Sequence, residues 1–220
     1  MDAVMTEAIL DAGLDDWRKL AQGLHGRFLT GSFADGLRFV EAVGEGCAEM
    51  RLTGAFVEVK LVSDDAVYRD DDGDEHVLSW VTQRDLDLAR RISSIAASMG
   101  FTADPTAVRQ LELALDTVDA AVIGPFWAAV LTGSTTYDGG DVVDPTGRVP
   151  NLWFQGTESH ETPRQRFHLD LWVPHDVADD RIAAGVAAGG RITYDQEAPA
   201  FTVLADPDGN KVCICTCLDR

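Results

Sequence analysis

The chain has 220 residues, of which 45% are hydrophobic and 25% charged, so its composition is that of a folded globular protein rather than a disordered one. Its formal net charge of -19 repels phosphate backbones and anionic lipid, which argues against nucleic-acid and membrane partners. No apolar run approaches the roughly 20 residues of a membrane helix, and the first residues are acidic where a secretory signal is basic, so we expect a cytoplasmic protein.

The first half of the chain mixes helical and strand patterns. Apolar residues spaced by three and four predict an amphipathic helix over 33–43. Apolar and charged residues alternate over 56–62, which predicts a half-buried strand. Thr82 and Asp85 have the spacing of a helix cap, and the apolar pattern that follows them predicts a helix over 86–99.

A break in this pattern divides the chain into two domains. The long helix ends at Gly100, and Pro105 disfavours helical geometry in the residue before it. We therefore predict one domain over 1–103 and a second over 104–220.

The second half has strand and helix patterns in a repeating order. We expect strands over 108–115, 151–155, 166–173, 201–204 and 212–217, and helices over 122–131 and 179–188. Because side chains alternate along a strand, His168, Asp170 and Trp172 should share one face. The three cysteines near the C-terminus lack the C-x-x-C spacing of zinc ribbons, so they are interpreted as small buried residues, with Cys213 as an exception considered below.

Residues 1–103 resemble the pterin-4a-carbinolamine dehydratases. The matching features are Trp17, the framework Phe28, Phe33 and Phe39, the pair Ala48-Glu49, the strand around Val59, and the helix start Thr82 to Asp85. Members of that family fold as helices packed on one face of a four-stranded antiparallel sheet and usually oligomerise. The resemblance thus implies an α+β domain and a homo-oligomer, with a dimer favoured.

The histidines that this family uses for catalysis are missing. Its reaction requires imidazoles that exchange protons near neutral pH, from a His-His-Pro tract after Ala-Glu and a histidine at the next strand end. Here Glu49 is followed by Met50, and the strand end reads Ser63-Asp64-Asp65. The remaining His25 and His76 are interpreted as surface residues. We therefore expect an inactive dehydratase-like domain.

The second half resembles the glyoxalase-like branch of the vicinal oxygen chelate superfamily. The resemblance is carried by Asp119, Phe126-Trp127, Trp153-Phe154-Gln155, Arg164, Arg166, His168-Leu169-Asp170, and the segment from Leu204 to Asn210. Such domains consist of paired βαβββ modules that curl around a cleft. The resemblance implies an α+β domain with a small-molecule site in that cleft.

Metal-dependent members of the superfamily take one ligand from each of four strands. Mapped residue by residue, those positions fall on Glu112, Gln155, His168 and Cys213. Hard ions reject a thiol, whereas zinc accepts Glu112, His168 and Cys213. Because the glyoxalase-like branch often carries cysteine at the last position, the resemblance favours no metal, with zinc or another divalent ion as the alternative.

The cleft that the resemblance implies leads to a prediction of function. Aromatic walls with a few polar groups are typical of small-molecule sites, and the ligand-binding candidates are Trp153, Gln155, Arg166, His168, Asp170 and Cys213. The catalytic candidates are His168 and Glu112. Three hypotheses stay open: a small-molecule-binding or lyase-type glyoxalase-like protein, a non-catalytic assembly protein, and a residual pterin dehydratase.

Overall fold

The computed structural model describes residues 1–47, 49–132, 137, 139–158, 167–187, 190–205 and 211–220. Contacts divide the chain into two compact units, one over Met1–Arg109 with Pro174–Asp176 and Arg220, the other over Gln110–Val173 and Val177–Asp219. Across the described ranges, every helix is too short or too polar to span a bilayer. The domain boundary between 103 and 104 stays a prediction.

The first unit contains seven strands and three helices among its described residues. They are α1 (Thr6–Leu10), β1 (Trp17–Leu20), β2 (Gly23–Leu29), α2 (Phe33–Val43), β3 (Glu49–Leu52), β4 (Phe56–Leu61), β5 (Ser63–Arg69), β6 (Glu75–Trp80), α3 (Gln83–Ser98) and β7 (Thr102–Ala103). The main sheet has the antiparallel order β1-β2-β4-β3, with β7 also paired to β2, while β5 and β6 form a separate hairpin. The helices predicted over 33–43 and 86–99 and the strand predicted over 56–62 are confirmed within a few residues at each end.

Aromatic residues build the core of the first unit. Phe28 on β2 lies 5.6 Å from Trp17 and 5.2 Å from Phe39 of α2, measured between ring centroids. The apolar face of α3 completes this core through Ile92, which is fully buried. The resemblance of this unit to the dehydratases stays a prediction.

Two histidines of the first unit, His25 and His76, differ in their surroundings. His76 is exposed and its Nε2 lies 2.9 Å from Asp70, as expected of a surface residue. His25 on β2 was predicted to be a surface histidine, and that prediction is wrong. Although the residue as a whole is half-buried, its ring Nε2 is covered and has no hydrogen-bond partner within the described ranges. Burial, together with the charges of Lys60 and Lys19, lowers the pKa of His25 to about 3.

The second unit has six described strands in one sheet and two helices. Its elements are β8 (Gln110–Thr117), α4 (Ala120–Thr132), β9 (Asn151–Gly156), β10 (Phe167–Trp172), α5 (Ala178–Ala187), β11 (Arg191–Tyr194), β12 (Phe201–Ala205) and β13 (Lys211–Cys215). The sheet order is β11-β12-β13-β10-β8-β9. The predicted strands and helices of this half are therefore confirmed, with ends shifted by up to two residues.

The order of the strands shows two modules. In the second module β10, α5, β11, β12 and β13 follow one another, and β13 returns parallel to β10. In the first module β9 returns parallel to β8 after α4, and a bridge from Val142 to Leu152 adds an antiparallel neighbour. The modules meet where β8 and β10 pair antiparallel. This mixed α+β arrangement is the one expected of the second half.

Both helices of the second unit contribute to apolar clusters with alternate residues of the sheet. Ala128 of α4 clusters with Leu115 and Leu152, and Ala178 clusters with Leu204 and Ile214. Because side chains alternate across a strand, the intervening residues point to the opposite side. We call that side the polar face, and it carries Glu112, Asp116, Asn151, Trp153, Gln155, His168, Asp170, Trp172 and Cys213.

Candidate functional site

Glu112 lies in the middle of the polar face and is only 4% exposed. Its Oε2 accepts a hydrogen bond from Nε1 of Trp172 at 2.8 Å. Its Oε1 accepts a second hydrogen bond from the amide of Asn151 at 3.1 Å. Because a buried carboxylate needs such donors to replace water, these two neighbours hold Glu112 in one orientation.

Asp170 faces Glu112 directly across the two central strands. Their Cα atoms are register partners in the antiparallel β8–β10 pair, and Asp170 is 7% exposed. The indole Nε1 of Trp153 donates to Oδ2 of Asp170 at 3.0 Å. Each of the two buried carboxylates thus receives the N–H of one tryptophan.

His168 stands between two carboxylates at the more open end of the polar face. Its Nε2 lies 3.5 Å from Oδ1 of Asp170, and its Nδ1 lies 3.8 Å from Oδ1 of Asp116. The ring also meets Trp153 edge to face, with centroids 5.6 Å apart. With 22% of its side chain exposed, His168 can contact a molecule that reaches the sheet.

Cys213 joins this group from the neighbouring strand. It is 8% exposed, and its Cα pairs in register with that of Asp170. The potential ligand atoms of His168, Asp170 and Cys213 all lie within 4.8 Å of one another. We call these three residues the His–Asp–Cys cluster. All four cysteines of the chain are described, and none forms a disulfide.

The structure brings together most of the residues proposed from the sequence. Trp153, His168, Asp170 and Cys213 are neighbours, whereas Gln155 is exposed at the end of β9 and its amide donates to the carbonyl of Gly156 at 3.4 Å. Arg166, with Arg164, lies outside the described residues. The carboxylate of the cluster is that of Asp170, whereas the zinc ligands expected from the sequence were Glu112, His168 and Cys213.

Three residues of this face were not singled out as site residues from the sequence. Trp172 and Asn151 hold Glu112, and Asp116 lies beside His168. The signal that could have found them is the alternation itself, since each lies two or four residues from a proposed site residue on the same strand. Trp172 was expected to share a face with His168 and Asp170, whereas no motif contains Asn151 or Asp116.

Comparison with known proteins supports the assignment of the second unit. Residues 112–215 match the family model described as a glyoxalase-like domain. No curated protein matches the chain.

Two solved structures show similarity over about half of the chain. One is described as an NAD-dependent benzaldehyde dehydrogenase from Legionella pneumophila, at 17% identity and a TM-score of 0.36, with 48% of this chain and 97% of that chain covered. The other is a glyoxalase/bleomycin resistance protein/dioxygenase superfamily member from Vibrio splendidus 12B01, at 13% identity and a TM-score of 0.30, with 50% and 99% covered. These TM-scores are too low to support an inference. The match over residues 112–215 shows that the chain contains a glyoxalase-like domain.

Proposed function

We propose that the polar face of the glyoxalase-like domain binds a small polar or aromatic molecule, as a binding protein or as a lyase-type enzyme. The observation that carries this proposal is the grouping of imidazole, carboxylate, thiol and indole side chains on one side of one sheet. Aromatic surface with a few oriented polar groups is what small-molecule sites offer.

The residues of this face have different parts in the proposal. His168 is exposed enough to contact a ligand, and imidazole exchanges protons near neutral pH. Asp116 and Asp170 flank its two ring nitrogens, at 3.8 and 3.5 Å. Trp153 provides an aromatic wall beside the ring. Arg166 and Gln155 remain ligand-binding candidates at the edge of the face.

Glu112 is the second catalytic candidate and has less freedom than His168. Both of its oxygens accept hydrogen bonds, and the residue is almost fully buried. A carboxylate held in this way can take a proton only from an atom that comes directly against it. Of the two catalytic candidates, we therefore propose that His168 contacts the bound molecule, while Glu112 stays in a fixed position on the same face.

Divalent metals are common in this superfamily, and the donor atoms of the polar face determine which ion fits. A thiol excludes hard ions, while zinc accepts the thiolate, imidazole and carboxylate of the His–Asp–Cys cluster. These three residues would hold the ion. Bound there, zinc would supply a Lewis acid for a carbonyl or hydroxyl oxygen of the bound molecule.

A thermal-shift panel tests the proposed site. The full chain is heated with small dicarbonyl, hydroxy-acid and aromatic metabolites and with oxidised and reduced pterins. A ligand at about 100 times its dissociation constant adds roughly 2.7 kcal/mol to the free energy of unfolding. We expect a metabolite to raise the melting temperature of the wild type but not of His168→Ala.

The exposed His76 provides the matched control. His76→Ala removes an imidazole from a hairpin of the first unit and should leave the ligand shift intact. A ligand shift that persists in both His168→Ala and Trp153→Phe would show that binding occurs elsewhere. A pterin shift insensitive to both changes would instead support the dehydratase alternative for the first unit.

A further inference from the structure

We infer that His168, Asp170 and Cys213 form a three-ligand zinc site in which Asp170, not Glu112, supplies the carboxylate. The inference rests on the proposed function and deepens it by naming an ion that the polar face binds. The potential ligand atoms of the three residues lie within 4.8 Å of one another, a spread that small side-chain adjustments reduce to the spacing around a tetrahedral ion.

The strand register explains why Asp170 is the carboxylate of the site. His168 and Asp170 lie two residues apart on β10, so both side chains project to the same side. Cys213 on β13 is the register partner of Asp170. Glu112 is a register partner of Asp170 on the other side, away from β13. Asp170 is thus the acidic residue that lies between the imidazole and the thiol.

Glu112 is also prevented from binding a metal by its own hydrogen bonds. Its oxygens accept from Trp172 at 2.8 Å and from Asn151 at 3.1 Å. Turning the carboxylate toward an ion would break both hydrogen bonds. Asp170, by contrast, keeps Oδ1 on the side of His168 while Oδ2 accepts from Trp153.

The second ring nitrogen of His168 also has a carboxylate near it. Histidine ligands of zinc usually have a carboxylate or carbonyl at the ring nitrogen that does not bind the metal. Here Asp116 lies 3.8 Å from Nδ1, while Nε2 faces Asp170 at 3.5 Å. The geometry therefore assigns Nε2 as the ligand atom and Asp116 as the group that orients the ring.

Three protein ligands leave one position of a tetrahedral zinc for water or for the small molecule. Structural zinc sites are closed by a fourth protein ligand, whereas catalytic sites keep this position open. The partial exposure of His168 provides access on that side. Among the described residues three side chains supply ligands, which corresponds to a site of the open type.

Metal titration of the full chain tests the inference. The protein is stripped with a chelator, and zinc binding is measured by calorimetry with competition. We expect one zinc per wild-type chain and the same affinity in Glu112→Gln. Affinity should fall by more than about 100-fold in Asp170→Asn and Cys213→Ser, beyond the roughly 10–100-fold loss typical of an orienting partner. The loss of zinc affinity in Trp153→Phe and in Asp116→Asn should stay within that smaller range.

Cobalt provides a readout that does not depend on activity. Thiolate coordination gives Co²⁺ a charge-transfer band, which we expect in the wild type but not in Cys213→Ser. Cys215→Ser is the matched control, because Cys215 is also buried on β13 but pairs with Trp172. It should retain the band. Circular dichroism of each variant shows whether the fold is retained, and the conservative Asp170→Asn is informative even if Cys213→Ser unfolds.

Two outcomes would overturn the inference. One is the absence of stoichiometric zinc binding and of the cobalt band in the folded wild type. The other is zinc binding that is lost in Glu112→Gln but kept in Asp170→Asn, which would restore the set considered from the sequence. Neither outcome affects the proposed function, which is tested separately by the metabolite shift measured in the presence of chelator.

Discussion

Two buried carboxylates and two tryptophans dominate the chemistry of the polar face. Glu112 and Asp170 are neighbours across β8 and β10, and a bare pair of buried negative charges would be costly. The indole N–H of Trp172 reaches Glu112, and that of Trp153 reaches Asp170. Each indole therefore supplies a hydrogen bond to one buried carboxylate.

A buried histidine gives the first unit a dependence on pH. His25 has a folded-state pKa of about 3, below its ordinary value of 6.5, because burial and two nearby lysines disfavour the charged ring. The unfolded chain then binds a proton that the folded chain does not, at every pH between these two values. The contribution of His25 to the free energy of unfolding is therefore complete above pH 6.5 and is lost as the pH falls toward about 3.

The first residue-scale prediction concerns this ring. When the pH is lowered from 7.5 to 5, the free energy of unfolding should fall by about 2 kcal/mol more in the wild type than in His25→Gln. The magnitude follows from about 1.36 kcal/mol per pH unit below the unfolded pKa. Urea denaturation at several pH values measures the difference. His76→Gln is the control for an exposed ring, and equal slopes for the wild type and His25→Gln would contradict the prediction.

At the scale of single elements, the start of α3 is fixed by a buried carboxylate. Asp85 is 3% exposed. Its Oδ2 accepts from the backbone N–H of Thr82 at 2.8 Å, from the Thr82 hydroxyl at 2.9 Å, and from the Ser63 hydroxyl at 2.7 Å. The spacing of Thr82 and Asp85 predicted a cap, but Ser63 comes from a distant strand and joins it only in the folded unit.

The prediction at this scale is a loss of stability. Asp85→Ala removes the acceptor of three buried donors, although one hydroxyl can still donate across the 3.0 Å contact between Ser63 and Thr82. The free energy of unfolding should therefore fall by about 3 kcal/mol. Chemical denaturation measures it. Asp87→Ala, two residues along the same helix with 66% of its side chain exposed, should change stability by less than about 0.5 kcal/mol. Similar losses in both variants would show that the Asp85 bonds contribute little.

At the scale of the whole molecule, we propose that the chain forms a homodimer. β11 ends the six-stranded order, and all four of its residues are exposed, including Ile192 at 45% and Tyr194 at 38%. A strand at the end of the described sheet order with exposed apolar side chains is a ready surface for pairing with a second copy.

Light scattering at micromolar concentration checks this proposal. The expected mass is twice the 23.8 kDa of one chain. Ile192→Lys places a charge on the edge strand and should shift the protein toward the monomer, whereas Val77→Lys, on β6 of the first unit, should not. A monomeric wild type would remove the proposal, and a dimer unaffected by Ile192→Lys would exclude this edge as the interface.

The sequence by itself determined the features that depend on neighbours along the chain. The alternation over 166–173 placed His168, Asp170 and Trp172 on one face, and the spacing of apolar residues located α2 and α3. The prediction that His25 is a surface residue was wrong. Its position on a strand indicates which side of the sheet it occupies but not which residues cover that side. Motif order alone identified the glyoxalase-like half.

Only the tertiary structure decided which of these residues meet. Asp170 lies beside Cys213 because β13 runs parallel to β10 with those two residues in register. The two residues are more than 40 positions apart in the chain. Glu112 does not join the His–Asp–Cys cluster, because its carboxylate accepts hydrogen bonds from Trp172 and Asn151, which lie on two different strands. A period of two shows which side of a strand a residue occupies but not which strand lies beside it, since strand order and register depend on packing over the whole sheet.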